Sequence, residues 1–337
     1  MVIGLATLWF VGKIQTTTQP RFLPAPWAEY SRREPEQLTV PIHCELDGQH
    51  IRAETTVWRY RPTVEAPASA RLLLVHGFRG DHHGLQLITD GLPEFEVLVP
   101  DLPGYGQSPP LKAQNGRHVE HTLGLYAAFV EALADAMDLG QNDCLVGHSF
   151  GTIICSAHCA RSSRDWSGLV LSAPISNSIF RGRLLPGAAL VELYYRLTQI
   201  LPERAGDTVL RSATILEVMN LTLGVGWDHK LAAFVKDQHR QFFGGYSDRR
   251  TLLESYWASS RHTATQFASA VRVPTLLLPG ALDNLSTVKG LRQLRDLLPQ
   301  GQLEVIRGSG HLVHYEKPAQ LARSIRRFVA EVTRTAP

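Results

Sequence analysis

The chain has 337 residues, 44% hydrophobic and 19% charged, which describes an ordinary globular protein able to bury a large core. Its 34 basic and 31 acidic residues leave a net charge of +3, with no basic cluster, so the field is too weak to draw nucleic acid. The four cysteines, Cys44, Cys144, Cys155 and Cys159, form no CxxC pair and no zinc-type spacing. They read as small buried residues in a reduced compartment, with no metal site implied.

Residues 2–12 are almost wholly apolar. Eleven residues are too few to span a bilayer, and the stretch lacks the basic start and small-residue cleavage site of a signal peptide. Four prolines follow between positions 20 and 35. Residues 1–38 therefore read as a tail and linker. A cytoplasmic location is expected, the alternative being membrane association through 2–12.

From residue 39 the pattern becomes regular. Strands are expected at 39–46 and 50–60, joined near Asp47-Gly48, a favoured hairpin turn. Short apolar runs at 71–76, 95–100, 144–147 and 168–172 read as further strands. Helices are expected at 122–137, with Leu125, Phe129, Ala132, Leu133 and Ala136 on one face, and at 150–161. Strands at 273–279 and 302–306, with helices at 288–298 and 320–333, complete the series. Alternation of this kind implies an α/β protein, a mostly parallel sheet covered by helices on both faces.

Residues 175–262 break the rhythm with helical patterns and no strand, and hold 10 of the chain's 27 aromatic residues. An insertion there would sit over the carboxyl ends of the strands, where open α/β sheets place ligands. The expected organisation is a core of 39–174 and 263–337 with a helical lid at 175–262.

Gly147-His148-Ser149-Phe150-Gly151 fits G-x-S-x-G between an expected strand and an expected helix, the context this motif requires. The turn lifts the Ser149 hydroxyl clear of the sheet, and the helix N-terminus favours negative charge there. A serine hydroxyl needs a base. His311, in Gly308-Ser309-Gly310-His311, follows the last strand and is the candidate, with His314 on the same loop as the alternative. His76 reads as structural, donating to backbone, and His148 as pointing away from the nucleophile. Asp283, after the strand at 273–279, is the carboxylate that would orient the base. Asp101 also ends a strand but reads as a hydrogen-bond acceptor for the glycine-rich loop after it. The oxyanion donors expected are the backbone N–H groups of Phe150 and Phe78, with Arg79 near.

HGF at 76–78, DLPGYGQS at 101–108, GHSFG at 147–151, GALD at 280–283 and GSGHLVHYEKP at 308–318 together resemble the α/β-hydrolase superfamily. The resemblance runs over about 39–333, and the insertion is similar to the family's cap. It implies the order Ser149, Asp283, His311 for nucleophile, acid and base. It is closest to the esterase, cofactor-free haloperoxidase and C–C-bond hydrolase branch, since the dehalogenase and epoxide hydrolase branches carry aspartate where Ser149 stands. His82 and His83 lie outside the common pattern, either at a pocket mouth or in a solvated or helix-capping role.

The expected activity is hydrolysis of a small or medium, partly apolar carboxylic ester through an acyl-enzyme, with no cofactor and a small-molecule substrate. Two alternatives stand beside it. One is a C–C-bond hydrolase of a vinylogous diketone using the same residues; the other is a non-catalytic ligand-binding module on the same fold. A C–C hydrolase needs a basic clamp. The arginines of 175–262, including Arg249 and Arg250, read instead as a solvated helix face beside Asp248 and Glu254.

Overall fold

The computed structural model describes residues 21–26, 29–46, 48–64, 70–212 and 228–334. Residues 2–12 and Asp47 lie outside them. Eight strands form one sheet in the order β1-β2-β4-β3-β5-β6-β7-β8. β1 (Glu36–Leu46) and β2 (Gln49–Tyr60) make an antiparallel hairpin closed at Gly48, whose φ of 72° suits a residue without a Cβ. β2 runs antiparallel to β4 (Glu96–Pro100). The other pairings, through β3 (Arg71–Val75), β5 (Cys144–His148), β6 (Gly168–Ser172), β7 (Thr275–Leu278) and β8 (Gly301–Leu303), are parallel.

The central strands are short apolar runs because both of their faces are covered. Alternate residues feed two cores. Leu73, Val75, Leu145, Leu169 and Leu277 point to one, and Leu72, Leu74, Val146, Val170 and Leu276 to the other. The first is closed by α2 (Leu123–Ala136) and α3 (Phe150–Arg161), through Leu125, Phe129, Leu133, Ile153 and Ile154. The second is closed by α10 (Pro318–Arg334), through Leu321, Ile325, Phe328 and Val332. Ala136, expected on the buried face, is exposed, because α2 ends on it.

Two short helices were not legible in the periodicity, α1 (Gln86–Asp90) and α9 (Val313–Glu316), each too short to complete a pattern. α8 (Val288–Leu297) stands where a helix was expected. β1 begins three residues earlier than expected, because its ladder to β2 continues to Glu36 opposite Arg59. β8 stops at Leu303, and only an isolated bridge between Gly280 and Ile306 prolongs the pairing.

Between β6 and β7 the described residues form no strand, three short 3₁₀ turns and four α-helices: α4 (Leu185–Ile200), α5 (Glu203–Leu210), α6 (His229–Phe242) and α7 (Arg249–Ser260). Part of the expected tail is packed. Arg33 is buried and its guanidinium donates to the carbonyls of Thr89, Leu92, Tyr60, Arg61 and Phe95. Upstream, the N–H groups of Arg21 and Leu23 donate to the Asp237 carboxylate on α6. No helix among the described residues is long and apolar enough to cross a membrane. Cys144, Cys155 and Cys159 are buried and all four cysteines are free.

Candidate active site

Ser149 sits between β5 and α3 at φ 53° and ψ −115°, a backbone state that costs a non-glycine residue about 1–3 kcal/mol and persists only where its surroundings enforce it. The enforcement is visible. Ser149 N–H donates to Ser172 O at 3.0 Å, holding the turn to β6. A Cβ on Gly147 would lie 2.5 Å from Gly151 O, and one on Gly151 would lie 2.2 Å from Val75 O. Only glycine fits at either position, so the two glycines of the motif let α3 approach β3 and β5 this closely.

The loops after β7 and β8 are joined to each other. Ala281 N–H donates to Ile306 O and Leu282 N–H to Ser309 O, both at 2.8 Å. Gly280 admits this approach, since a Cβ there would meet Gly310 O at 2.1 Å. The Glu316 carboxylate accepts from Gly310 N–H and steadies the His311 loop.

These constraints bring Ser149, His311 and Asp283 together. Ser149 Oγ lies 2.8 Å from His311 Nε2, and His311 Nδ1 donates to Asp283 Oδ2 at 2.9 Å. Asp283 Oδ1 accepts from Leu285 N–H at 2.8 Å. A carboxylate only accepts, so it places the imidazole proton on Nδ1 and leaves the Nε2 lone pair facing the serine hydroxyl.

The Gly77-Phe78 turn lies alongside. A Cβ on Gly77 would be 3.2 Å from Ser149 Cβ and 3.6 Å from its Oγ. Gly80 N–H closes the turn on Gly77 O at 3.1 Å. The Phe78 ring meets Tyr195 of α4 and Tyr256 of α7, which stack on each other at 4.0 Å. Phe150 opens α3, with its ring buried edge-on against Tyr126.

Arg79 plays a larger part than its sequence position suggested. Its φ is 61° and it is 1% exposed. The guanidinium donates to Leu210 O at 2.9 Å, to Phe243 O at 3.3 Å and to Tyr195 Oη at 3.4 Å. The turn beside Ser149 is thereby tied to α4 and to the ends of α5 and α6. A single arginine after HGF carries no signal of this, because all three partners are far along the chain.

The other candidates fall into structural places. His76 Nδ1 donates to Gly77 O and its Nε2 accepts from Leu102 N–H, both at 2.9 Å. His148 turns to Ser172 Oγ at 3.2 Å. His314 packs on the His148 ring at 4.0 Å rather than reaching Ser149. Burial pushes the His76, His148 and His314 imidazoles below their ordinary value.

Asp101 accepts from His82 N–H and Nδ1, from Trp58 Nε1 and from Gln107 N–H. Burial opposes its charge, yet the bonds from His82, Gln107 and Trp58 hold its carboxyl below the usual carboxylate range. His82 stacks on Trp58 and is buried, while His83 bonds to Asp81, the N-cap residue of a short 3₁₀ turn, and stacks on Phe242.

Two groups among the described residues bring metal-ligating atoms within 4.8 Å of one another, Asp81/His82/His83 and His118/His121/Glu254. Both are hydrogen-bonded within the protein. His118 Nε2 donates to Glu254, and His121 Nε2 accepts from Leu111 N–H, which leaves its proton on the Nδ1 that faces Glu254. Arg249, expected on a solvated face, donates to the carbonyls of Thr198 and Leu201 and joins α7 to α4, because its neighbour Asp248 is occupied in capping α7. Arg250 does pair with Glu254.

A family model described as the alpha/beta hydrolase fold matches residues 70–318, most of the chain. The chain belongs to the α/β-hydrolase fold family. This hydrolase is 26% identical over 276 residues to the biotin biosynthesis bifunctional protein BioHC of Cellvibrio japonicus, across 76% of this chain and 47% of that longer protein. It is 25% identical over 273 residues to the monoacylglycerol lipase ABHD6 of Homo sapiens, across 78% and 76% of the two chains. A solved structure of a thermophilic esterase from Thermogutta terrifontis matches with a TM-score of 0.66 at 21% identity, covering 88% of this chain and 99% of that one. At that identity the likeness is one of fold. The family is one of enzymes, and this hydrolase is an α/β-hydrolase enzyme.

Proposed function

We propose that this enzyme hydrolyses a small or medium carboxylic ester through a serine acyl-enzyme. The observation that carries the reading is the unbroken hydrogen-bond line from Ser149 Oγ through His311 to Asp283. In this reading Ser149 Oγ attacks the carbonyl carbon as its proton passes to His311 Nε2. Asp283 holds the ring and stabilises the imidazolium. The carbonyl oxygen becomes an oxyanion beside the N–H groups of Phe78 and Phe150. Collapse breaks the bond to the alcohol, which leaves with the proton from His311. Water, deprotonated by the same imidazole, then releases the acid and restores Ser149. No cofactor enters these steps.

The reading also treats the helical stretch between β6 and β7 as a lid whose Phe78–Tyr195–Tyr256 cluster borders an apolar acyl or alcohol group. Esters are favoured over diketone acids because, among the described residues, the arginines that join these helices are engaged in holding the fold rather than gathered into a basic clamp. Arg79, Arg211 and Arg249 all donate to backbone carbonyls. The esterase- and lipase-named relatives support the same class. The test is kcat/KM for p-nitrophenyl esters and for ring-cleavage diketone acids, with Ser149→Ala and organophosphonate labelling on the same preparation. Preference for the diketone acid by tenfold, about 1.4 kcal/mol of transition-state binding, or a label away from Ser149, overturns the proposal.

A further inference from the structure

α4 has an unusual outer face. Leu190, Leu193, Leu197 and Ile200 are 67%, 51%, 48% and 77% exposed. Their spacing of three, four and three residues places them on one stripe of the helix. The inner face, with Ala188, Tyr195 and Thr198, is buried. A solvated helix normally carries charge on its outer face, but the one exposed ionic residue on α4 is Arg196. The helix's acid, Glu192, is turned inward and paired with Arg196 and Arg261. Arg181 before the helix is also exposed, as is Arg204 after it, beside the exposed Glu203. The stripe is apolar in the middle, and Arg181, Arg196 and Arg204 against Glu203 leave its edges positive on balance.

A second observation lies at the start of the described chain. Arg21 and Leu23 are bonded to Asp237 of α6, and Leu23 and Ala25 pack with Leu231, Phe234 and Val235 of that helix. Arg21, where the described chain begins, is therefore fixed on the same helical stretch between β6 and β7 as α4.

We propose that this face docks on the surface of an anionic lipid bilayer. α4 lies in the plane of the interface with its leucine stripe among the acyl chains and its arginines at the headgroups. This geometry is that of an interfacial helix, apolar on one side and cationic at its margin. An anionic bilayer satisfies both the stripe and the arginines. The inference rests on the ester-hydrolase reading for its consequence. The substrate is then an ester partitioned in the membrane.

The test uses the full chain and the triple variant Leu190→Ser, Leu197→Ser, Ile200→Ser. These side chains lie outside the catalytic cluster, so turnover of a water-soluble p-nitrophenyl ester should stay unchanged and report folding. Co-sedimentation is measured with phosphatidylcholine vesicles containing phosphatidylglycerol and with phosphatidylcholine alone. The wild type should sediment with the anionic vesicles and be released by salt, and the variant should lose about tenfold or more in vesicle affinity. Turnover of a vesicle-borne ester should fall with it.

Equal binding by wild type and variant overturns the proposal. So does a wild-type dimer that the variant converts to monomer, which makes a second copy the occupant. A variant that loses thermal stability but keeps its vesicle binding overturns it too, because another stretch of the chain then covers the stripe. Absence of soluble-ester turnover in the wild type overturns the esterase reading instead, and leaves the vesicle result to stand by itself.

Discussion

Arg79 Nη2 donates to the carbonyl of Leu210 across 2.9 Å, so the turn beside Ser149 is fastened to α5. No carboxylate is among the partners described for this buried guanidinium; carbonyls, the Tyr195 hydroxyl and the face of Tyr246 surround it. Arg79→Met should therefore strand acceptors that the arginine satisfied, at about 1–3 kcal/mol per buried group. A fall in the urea midpoint is expected, with kcat lowered more than KM is raised, because the Phe78 N–H is held by the same turn. Arg79→Lys should recover part of both losses. Wild-type midpoint and kcat in Arg79→Met would remove the coupling.

The two buried aspartates should separate cleanly. Asp283→Asn leaves the fold in place but no longer sets the imidazole tautomer, and about 10³–10⁴ in kcat should be lost. Asp101→Asn removes an acceptor from Trp58, His82 and Gln107, so its main effect should be on the melting temperature. Kinetics at equal folded fraction check this. An inactive Asp101→Asn beside an active Asp283→Asn would reassign the acid.

Glycine positions offer a steric comparison. Gly151→Ala drives a methyl group to 2.2 Å from Val75 O and 3.0 Å from His76 O, backbone atoms that cannot swing aside, and should destabilise by several kcal/mol, beyond the about 1–3 kcal/mol usual for overpacking. Gly244→Ala meets nothing within 4 Å and should be close to neutral. Urea midpoints of the two variants are the measurement; similar values would contradict the packing at the elbow.

Acid sensitivity follows from the histidines. Burial lowers the imidazoles of His76, His148, His158, His239 and His314, with His239 down to about 3. These groups stay neutral in the folded chain but protonate near ~6.5 once unfolded. The unfolded state thus binds more protons in the interval, and folding stability falls as pH drops below ~6.5 toward the folded values. Each group contributes up to about 1.4 kcal/mol per pH unit there. Glu254, opposed by burial but held down to about 2 by His121, Arg250 and His118, adds a further loss below its unfolded value of ~4.3. Urea midpoints should be level above pH 7 and fall steadily from pH 6.5 to 4. A flat profile would mean the histidines are solvated.

Much of this was legible from local patterns. The apolar runs that became β3, β5, β6 and β7, the glycines around Ser149 and the loop positions of Asp283 and His311 all leave their signal within a few residues of sequence. Arg249 and the helices of five and four residues were not. Arg249 had acidic neighbours in sequence, but its donors go to carbonyls of α4 some 50 positions away, and α1 and α9 end before a period can show.

The division has one physical cause. Apolar strand runs and the G-x-S-x-G turn leave their pattern among residues close in sequence, so the amino-acid order alone determined the fold class and placed the serine turn. The partners of Arg79 stand 116, 131 and 164 positions away, and the leucine stripe of α4 is defined by what fails to cover it. Packing between distant segments decides both, and only the tertiary structure contains it.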